Sequence, residues 1–195
     1  MLDLKPRSID SAPATAQGDL RAVQSRYGFV PNLLSTMANA PPLLRAYLQV
    51  TEQFSRTSLS AAEQQVVLLA ASAANECSYC VAAHSVIAKM QHVPDDVVEA
   101  IRNGRPIDHP RLEALRVLAA ELVARRGWPA EASISAFLAA DFAPEQVLEV
   151  VLGVGMKTLS NYTNHIVHTQ VDEPFAAAEW SPPADVREAN DARPS

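Results

Sequence analysis

Leu59-Ser-Ala-Ala-Glu-Gln-Gln-Val-Val-Leu-Leu-Ala-Ala-Ser-Ala-Ala-Asn-Glu-Cys-Ser-Tyr-Cys-Val-Ala-Ala-His-Ser85 is the stretch that decides the fold. Ser60-Ala-Ala-Glu63 is a capping box, in which a hydroxyl and a carboxylate satisfy orphan amide donors reciprocally, and it predicts a helix running to about Asn75. Ser78 is a suitable N-cap for a second helix reaching about His92. Between these two helices lies the only cysteine pair of the chain, Cys77 and Cys80. The longest apolar run, Val66 to Ala74, is interrupted by Ser72. It falls well short of the roughly 20 residues needed to span a bilayer.

Outward from this stretch the pattern repeats. Apolar residues recur at three and four, and β-branched alternating runs are missing, so helices are expected throughout. Toward the amino terminus, a short helix is expected from Asp19 to Tyr27 with Gly28 closing it, a second from Asn32 to Ala38, and a third after Pro41-Pro42 that carries Leu44, Tyr47, Leu48 and Phe54. Toward the carboxyl terminus, Pro94-Asp95-Asp96 opens a helix ending near Asn103, Pro110 opens one ending at Gly127, a shorter one spans about Ala130 to Ala140, and Pro144 begins a long last helix to about His168. Gly153 and Gly155 fall inside that last helix, where each costs about 1 kcal/mol relative to Ala. They read either as points of close approach or as tolerated surface glycines. The fold class expected is an all-α helical bundle. Residues 1–17 and 174–195 read as an amino-terminal arm and a carboxy-terminal tail around a helical domain at 18–173.

The 195 residues include 48% hydrophobic and 19% charged side chains, which suits one globular domain. The formal charge of -6 and the lack of a Lys/Arg stripe exclude a nucleic-acid partner. The amino terminus has no basic segment followed by an apolar core of a secretory signal, so a cytoplasmic protein is expected, with no membrane partner. Two cysteines three apart are not a secreted disulfide framework.

Their position carries chemistry. At a helix start, unpaired amides and the positive end of the dipole stabilise a thiolate, which favours Cys80 as nucleophile and leaves Cys77 to resolve a sulfenic acid or mixed disulfide on it. His84, four residues on, lies one turn further along the same face and is the candidate proton carrier. Tyr79, between the cysteines, is placed to pack over the pair or to bond a substrate oxygen. Metal binding is an alternative, yet Cys77, Cys80 and His84 supply three ligands where a structural zinc site wants four, unless His92, His165 or His168 joins them. Inert burial is the third. His165 and His168 read as structural residues at a helix C-terminus, His109 as a loop residue, and Trp128 and Trp180 as packing or interface anchors. No Gly-rich phosphate loop and no serine-nucleophile elbow occurs.

The same stretch, with Tyr27-Gly-Phe-Val-Pro-Asn32 and Ala40-Pro-Pro-Leu-Leu44 upstream and Asn161-Tyr-Thr-Asn-His165 downstream, resembles the AhpD-like alkylhydroperoxidases of the carboxymuconolactone decarboxylase superfamily. The resemblance implies an all-helical protein assembled as a homo-oligomer, a trimer or hexamer. It also implies reduction of hydroperoxides by the cysteine pair without a bound organic cofactor, at the expense of a dithiol or a lipoylated-protein donor. On this resemblance Cys80 matches the peroxide-reactive cysteine, Cys77 its partner and His84 the relay histidine. The relay glutamate of the family falls at Gln65, and an amide does not exchange protons as a carboxylate does. Glu63 is turned about 200° away on the same helix. A lactone decarboxylase, which generally lacks the cysteine pair, and a non-enzymatic redox-sensing or structural oligomer are the alternative functions.

Overall fold

In the computed structural model, which describes residues 4–183, the capping box forms as the spacing predicts. Ser60 Oγ accepts from the Glu63 amide at 3.3 Å, and Glu63 accepts from the Ser60 amide at 2.8 Å. Together they open α4 (Ala61–Ala74). Before it come α1 (Ala14–Tyr27), α2 (Asn32–Met37) and α3 (Pro41–Ser55). After it come α5 (Ser78–Met90), α6 (Asp95–Arg102), α7 (Pro110–Ala124), α8 (Glu131–Ala139) and α9 (Gln146–Val167), then a 3-10 helix at Glu173–Ala178. No strand occurs among the described residues, and the architecture is all-α. None of these helices is long and apolar enough to cross a membrane.

Helix α4 is the centre of the bundle, with Val66, Val67 and Leu69 fully buried, and it packs against α5, α7 and α9. A helix buried this completely needs no polar face, which is why its Ala/Val/Leu run is almost unbroken. Helix α9 crosses α3 and α4 at Gly153. A Cβ there would sit 2.7 Å from both Phe54 and Val67, so this glycine is a point of close helix approach. A Cβ on Gly155 meets nothing within 4 Å, as befits a surface position.

Several boundaries differ from expectation, among them the end of α7, at Ala124 rather than Gly127. Helix α1 begins at Ala14 rather than Asp19, because Ala16, too small to register as part of an apolar stripe, is fully buried with Leu20 and Val23. Helix α9 has its first helical residue at Gln146, two positions after Pro144. Cys77 rather than Ser78 is the N-cap residue of α5. The segment before α1 is fastened to α2, with the Arg7 amide donating to the Ser35 carbonyl at 3.1 Å and Ser35 Oγ donating back to the Arg7 carbonyl at 2.6 Å. Beyond the 3-10 helix, Trp180 Nε1 donates to the Arg102 carbonyl at 2.7 Å and packs against the core. The outermost parts of the expected arm and tail, residues 1–3 and 184–195, lie outside the described residues.

Candidate active site

The turn between α4 and α5 sets the cysteines. Glu76 adopts a left-handed conformation (φ 55°), the Cys77 amide donates back to the Ser72 carbonyl at 3.0 Å, and the Glu76 amide donates to the Ala73 carbonyl at 2.9 Å. This is the double hydrogen bond that closes a helix through a left-handed residue, a position glycine usually fills. It stops α4 and starts α5 within three residues, so that Cys77 and Cys80 share the first turn. Cys77 and Cys80 approach to 3.5 Å, and both thiols are free and buried.

Cys80 borders a cavity of about 720 Å³ between α2, α3, α5, α9 and the 3-10 helix, and Cys77 lies behind it. The walls are apolar and rich in aromatic rings, among them Phe29, Tyr47, Phe54 and Phe175. Gln65, Cys80, His84 and Lys157 are among its polar groups, with Arg26, Thr51, Ser55, Gln64 and Gln91. A cavity of this size and lining suits a small organic molecule with one reactive group.

His84 is held on both sides. Its Nδ1 lies 3.0 Å from Gln65 Oε1, which has no proton to give, so Nδ1 carries the hydrogen. Nε2 is then an acceptor, and Lys157 Nζ donates to it at 3.0 Å. Burial, and then the charge of Lys157, push the imidazole well below its ordinary basicity. Burial also pushes the Cys80 thiol up. The Cys77 hydrogen bond, the charge of Lys157 and a hydrogen bond from Ser160 outweigh it, so the Cys80 pKa falls well below that of an ordinary thiol. Hydrogen bonding to Cys80, then burial, raise Cys77, whose proton stays in place. The pair is therefore polarised, Cys80 toward the thiolate and Cys77 toward the protonated donor. Asn164 Nδ2 reaches both, 3.2 Å from Cys80 Sγ and 3.6 Å from Cys77 Sγ.

All five residues singled out in the sequence, Gln65, Cys77, Tyr79, Cys80 and His84, thus lie in one neighbourhood. Tyr79 lines the cavity with Cys80. Its hydroxyl turns to Asp172 Oδ2 at 2.6 Å while its ring packs edge-on against Phe175. Among the described residues no three His, Cys, Asp or Glu side chains gather so as to hold a metal ion.

Sequence reasoning missed Lys157, Ser160 and Asn164. A signal was present. Lys157, Ser160, Asn161 and Asn164 recur at i, i+3, i+4 and i+7 along α9 and are all buried, while Leu148, Val151, Tyr162 and Ile166 of the same helix are exposed. The helix is amphipathic in the inverted sense. A polar stripe turned inward marks a site, and an apolar stripe turned outward marks a contact surface.

The helical bundle has counterparts among known proteins. Residues 41–121 match the model of the carboxymuconolactone decarboxylase family. The fold is that of the alkylhydroperoxidase AhpD core described for an uncharacterized peroxidase-related protein from Ralstonia eutropha JMP134 (22% identity over 90% of this chain and 96% of that one, TM-score 0.78). It is also that of the debrominase Bmp8 (19%, 91% and 96%, TM-score 0.77) and of an uncharacterized peroxidase-related protein from Silicibacter sp. TM1040 (20%, 89% and 92%, TM-score 0.71). No curated protein sequence matches the chain. Over residues 41–121 the chain is therefore similar to the carboxymuconolactone decarboxylase family, and its fold is that of the AhpD-like proteins.

Proposed function

We propose that the protein is a thiol peroxidase that reduces organic hydroperoxides through Cys80 and Cys77. The observation that carries this reading is a thiolate-favouring cysteine on the cavity wall with a protonated cysteine 3.5 Å behind it. The Cys80 thiolate attacks the terminal peroxide oxygen. The O–O bond breaks, a sulfenic acid forms on Cys80, and the alkoxide leaves with a proton from the relay around His84. The Cys77 sulfur then displaces the hydroxyl of the sulfenic acid, releasing water and closing a disulfide. An external dithiol, free or carried on a lipoylated protein, returns two electrons and two protons. The protein itself holds no organic cofactor in this cycle, and it works as a homo-oligomer.

The apolar cavity favours an alkyl or aryl hydroperoxide over hydrogen peroxide. Turnover of cumene hydroperoxide with dihydrolipoamide, followed as loss of hydroperoxide, tests the proposal. Disulfide formation without turnover by any dithiol would favour a redox sensor instead. The aromatic walls also suit a planar guest, which favours reductive dehalogenation of a small aromatic as a second reading. Release of bromide from a bromopyrrole under the same dithiol conditions distinguishes it.

A further inference from the structure

The relay expected from the resemblance has no carboxylate at its head, yet the site contains a cation that the resemblance does not supply. Lys157 is 1% exposed and lies among Cys80, Cys77, Tyr47 and His84. A lysine removed from water loses its proton unless an anion faces it. Here the interaction with Cys80, the largest of the favourable ones, outweighs burial, and the ammonium is retained. Lys157 and Cys80 border the same cavity, so the ammonium's charge acts on the attacking sulfur and faces the space a substrate enters.

We propose that Lys157 is a catalytic residue of this site, its ammonium paired with the Cys80 thiolate and acting as the acid that protonates the departing alkoxide. The role rests on the thiol peroxidase reading for its second half only, since the ion pair exists without peroxide. His84 is then a positioning residue. Its Nε2 accepts from the ammonium and its Nδ1–H is spent on Gln65, so the neutral imidazole aims Lys157 at the sulfur. This accounts for the glutamine. A carboxylate at position 65 would draw a proton onto His84, and the resulting imidazolium would lose the lone pair that holds Lys157.

The balance closes over the cycle. The thiolate, the ammonium and ROOH become sulfenic acid, neutral amine and ROH. The Cys77 thiol and the sulfenic acid become disulfide and water, the amine passing the thiol proton to the departing hydroxyl. The donor dithiol then restores the Cys77 thiol, the Cys80 thiolate and the Lys157 ammonium, and leaves as its disulfide.

The test is the pH profile of iodoacetamide alkylation at Cys80, mapped by mass spectrometry on reduced native protein, beside single-turnover oxidation by cumene hydroperoxide. In Lys157→Met the alkylation midpoint moves up toward the range of ordinary thiols, and oxidation at neutral pH slows about 10²-fold, the low end for loss of a general acid. In Lys157→Arg the midpoint stays low because the charge remains, but oxidation is still slow, because a guanidinium does not release its proton at neutral pH. If Lys157→Met does not fold, the reciprocal experiment uses Cys80→Ser. Without the thiolate, Lys157 loses its proton more readily, and its reductive methylation with formaldehyde proceeds at lower pH than in wild type. An unchanged alkylation profile in folded Lys157→Met, or an unchanged methylation profile in Cys80→Ser, overturns the proposal. A shifted profile in a wild-type protein inert to hydroperoxides upholds the ion pair and overturns the peroxidase reading alone.

Discussion

The Tyr79 hydroxyl donates to Asp172 Oδ2 at 2.6 Å across a separation of 93 residues. The same carboxylate accepts from the Asn32 amide at 3.0 Å, at the N-terminus of α2. One side chain therefore ties the residue between the two cysteines to the cavity wall formed by α2 and to the segment that carries Phe175. Replacing Asp172 by Ala leaves the buried Tyr79 hydroxyl and the Asn32 amide without this acceptor. A loss of about 1–3 kcal/mol in stability is expected by urea unfolding. Tyr79→Phe, which leaves the Asn32 contact in place, costs less, about 1 kcal/mol.

The cysteines are expected to behave asymmetrically. Cys80→Ser abolishes hydroperoxide reduction. Cys77→Ser permits one oxidation, to a sulfenic acid on Cys80, and then stops, because no neighbouring thiol is left to resolve it. Dimedone trapping with mass spectrometry checks this, and a dimedone adduct on Cys77 in the Cys80→Ser protein at the wild-type rate would exchange the two roles.

The pH dependence follows from Cys80, whose thiol pKa lies below the ordinary value because the Cys77 hydrogen bond, Lys157 and Ser160 together outweigh burial. The rate of single-turnover oxidation therefore stays near its maximum as pH falls from about 8.5, where an unperturbed thiol is half ionised, and declines only further on the acid side. Stability follows the same sign. A group whose pKa is depressed by folding adds stability above its unfolded value and loses it as pH falls through the folded one. Lys157, raised on folding, adds stability below its unfolded value and loses it as pH rises through the folded one. The reduced protein is thus expected to melt highest on the mildly alkaline side. Cys80→Ser, which lacks the thiolate, flattens that maximum in calorimetry.

The two glycines of α9 predict opposite outcomes. Gly153→Ala pushes a methyl to 2.7 Å from Phe54 and Val67 and is expected to cost about 1–3 kcal/mol as an overpacked core. Gly155→Ala meets open space and is expected to add up to about 1 kcal/mol through helix propensity. Denaturant titration of the two variants gives the comparison.

Leu148, Val151, Tyr162 and Ile166 fall within about 60° of one another around α9, given about 100° per residue, and all four are exposed. This apolar stripe is the surface through which the chain is expected to form its homo-oligomer. Light scattering of the wild type should give a mass of several chains, and Ile166→Lys should shift it toward the monomer.

The amino-acid sequence alone determined the helical class and the identity of the cysteine and histidine positions, because both rest on local rules. Capping, three-to-four periodicity and the placement of two thiols on one helical turn involve residues no more than about four apart. Gly153 and Gly155 carried the same cost in a helix, and sequence left close approach and surface tolerance open for both; packing made Gly153 the close approach and Gly155 the surface position. Which partners Gly153 approaches, Phe54 and Val67, is a tertiary fact. So is the charge that balances the site. Lys157 stands 73 residues from His84 and 77 from Cys80, and a lysine in a chain is by default a solvated surface residue. Only the packing of α9 against α3, α4 and α5 takes it out of water and makes the thiolate its counterion. Asp172 was invisible for the same reason, since its bond to Tyr79 spans nearly half the chain. Hydrogen bonds and ion pairs act over a few ångströms of space, whatever their distance along the chain, so the residues that tune the thiol became evident only once the helices were packed.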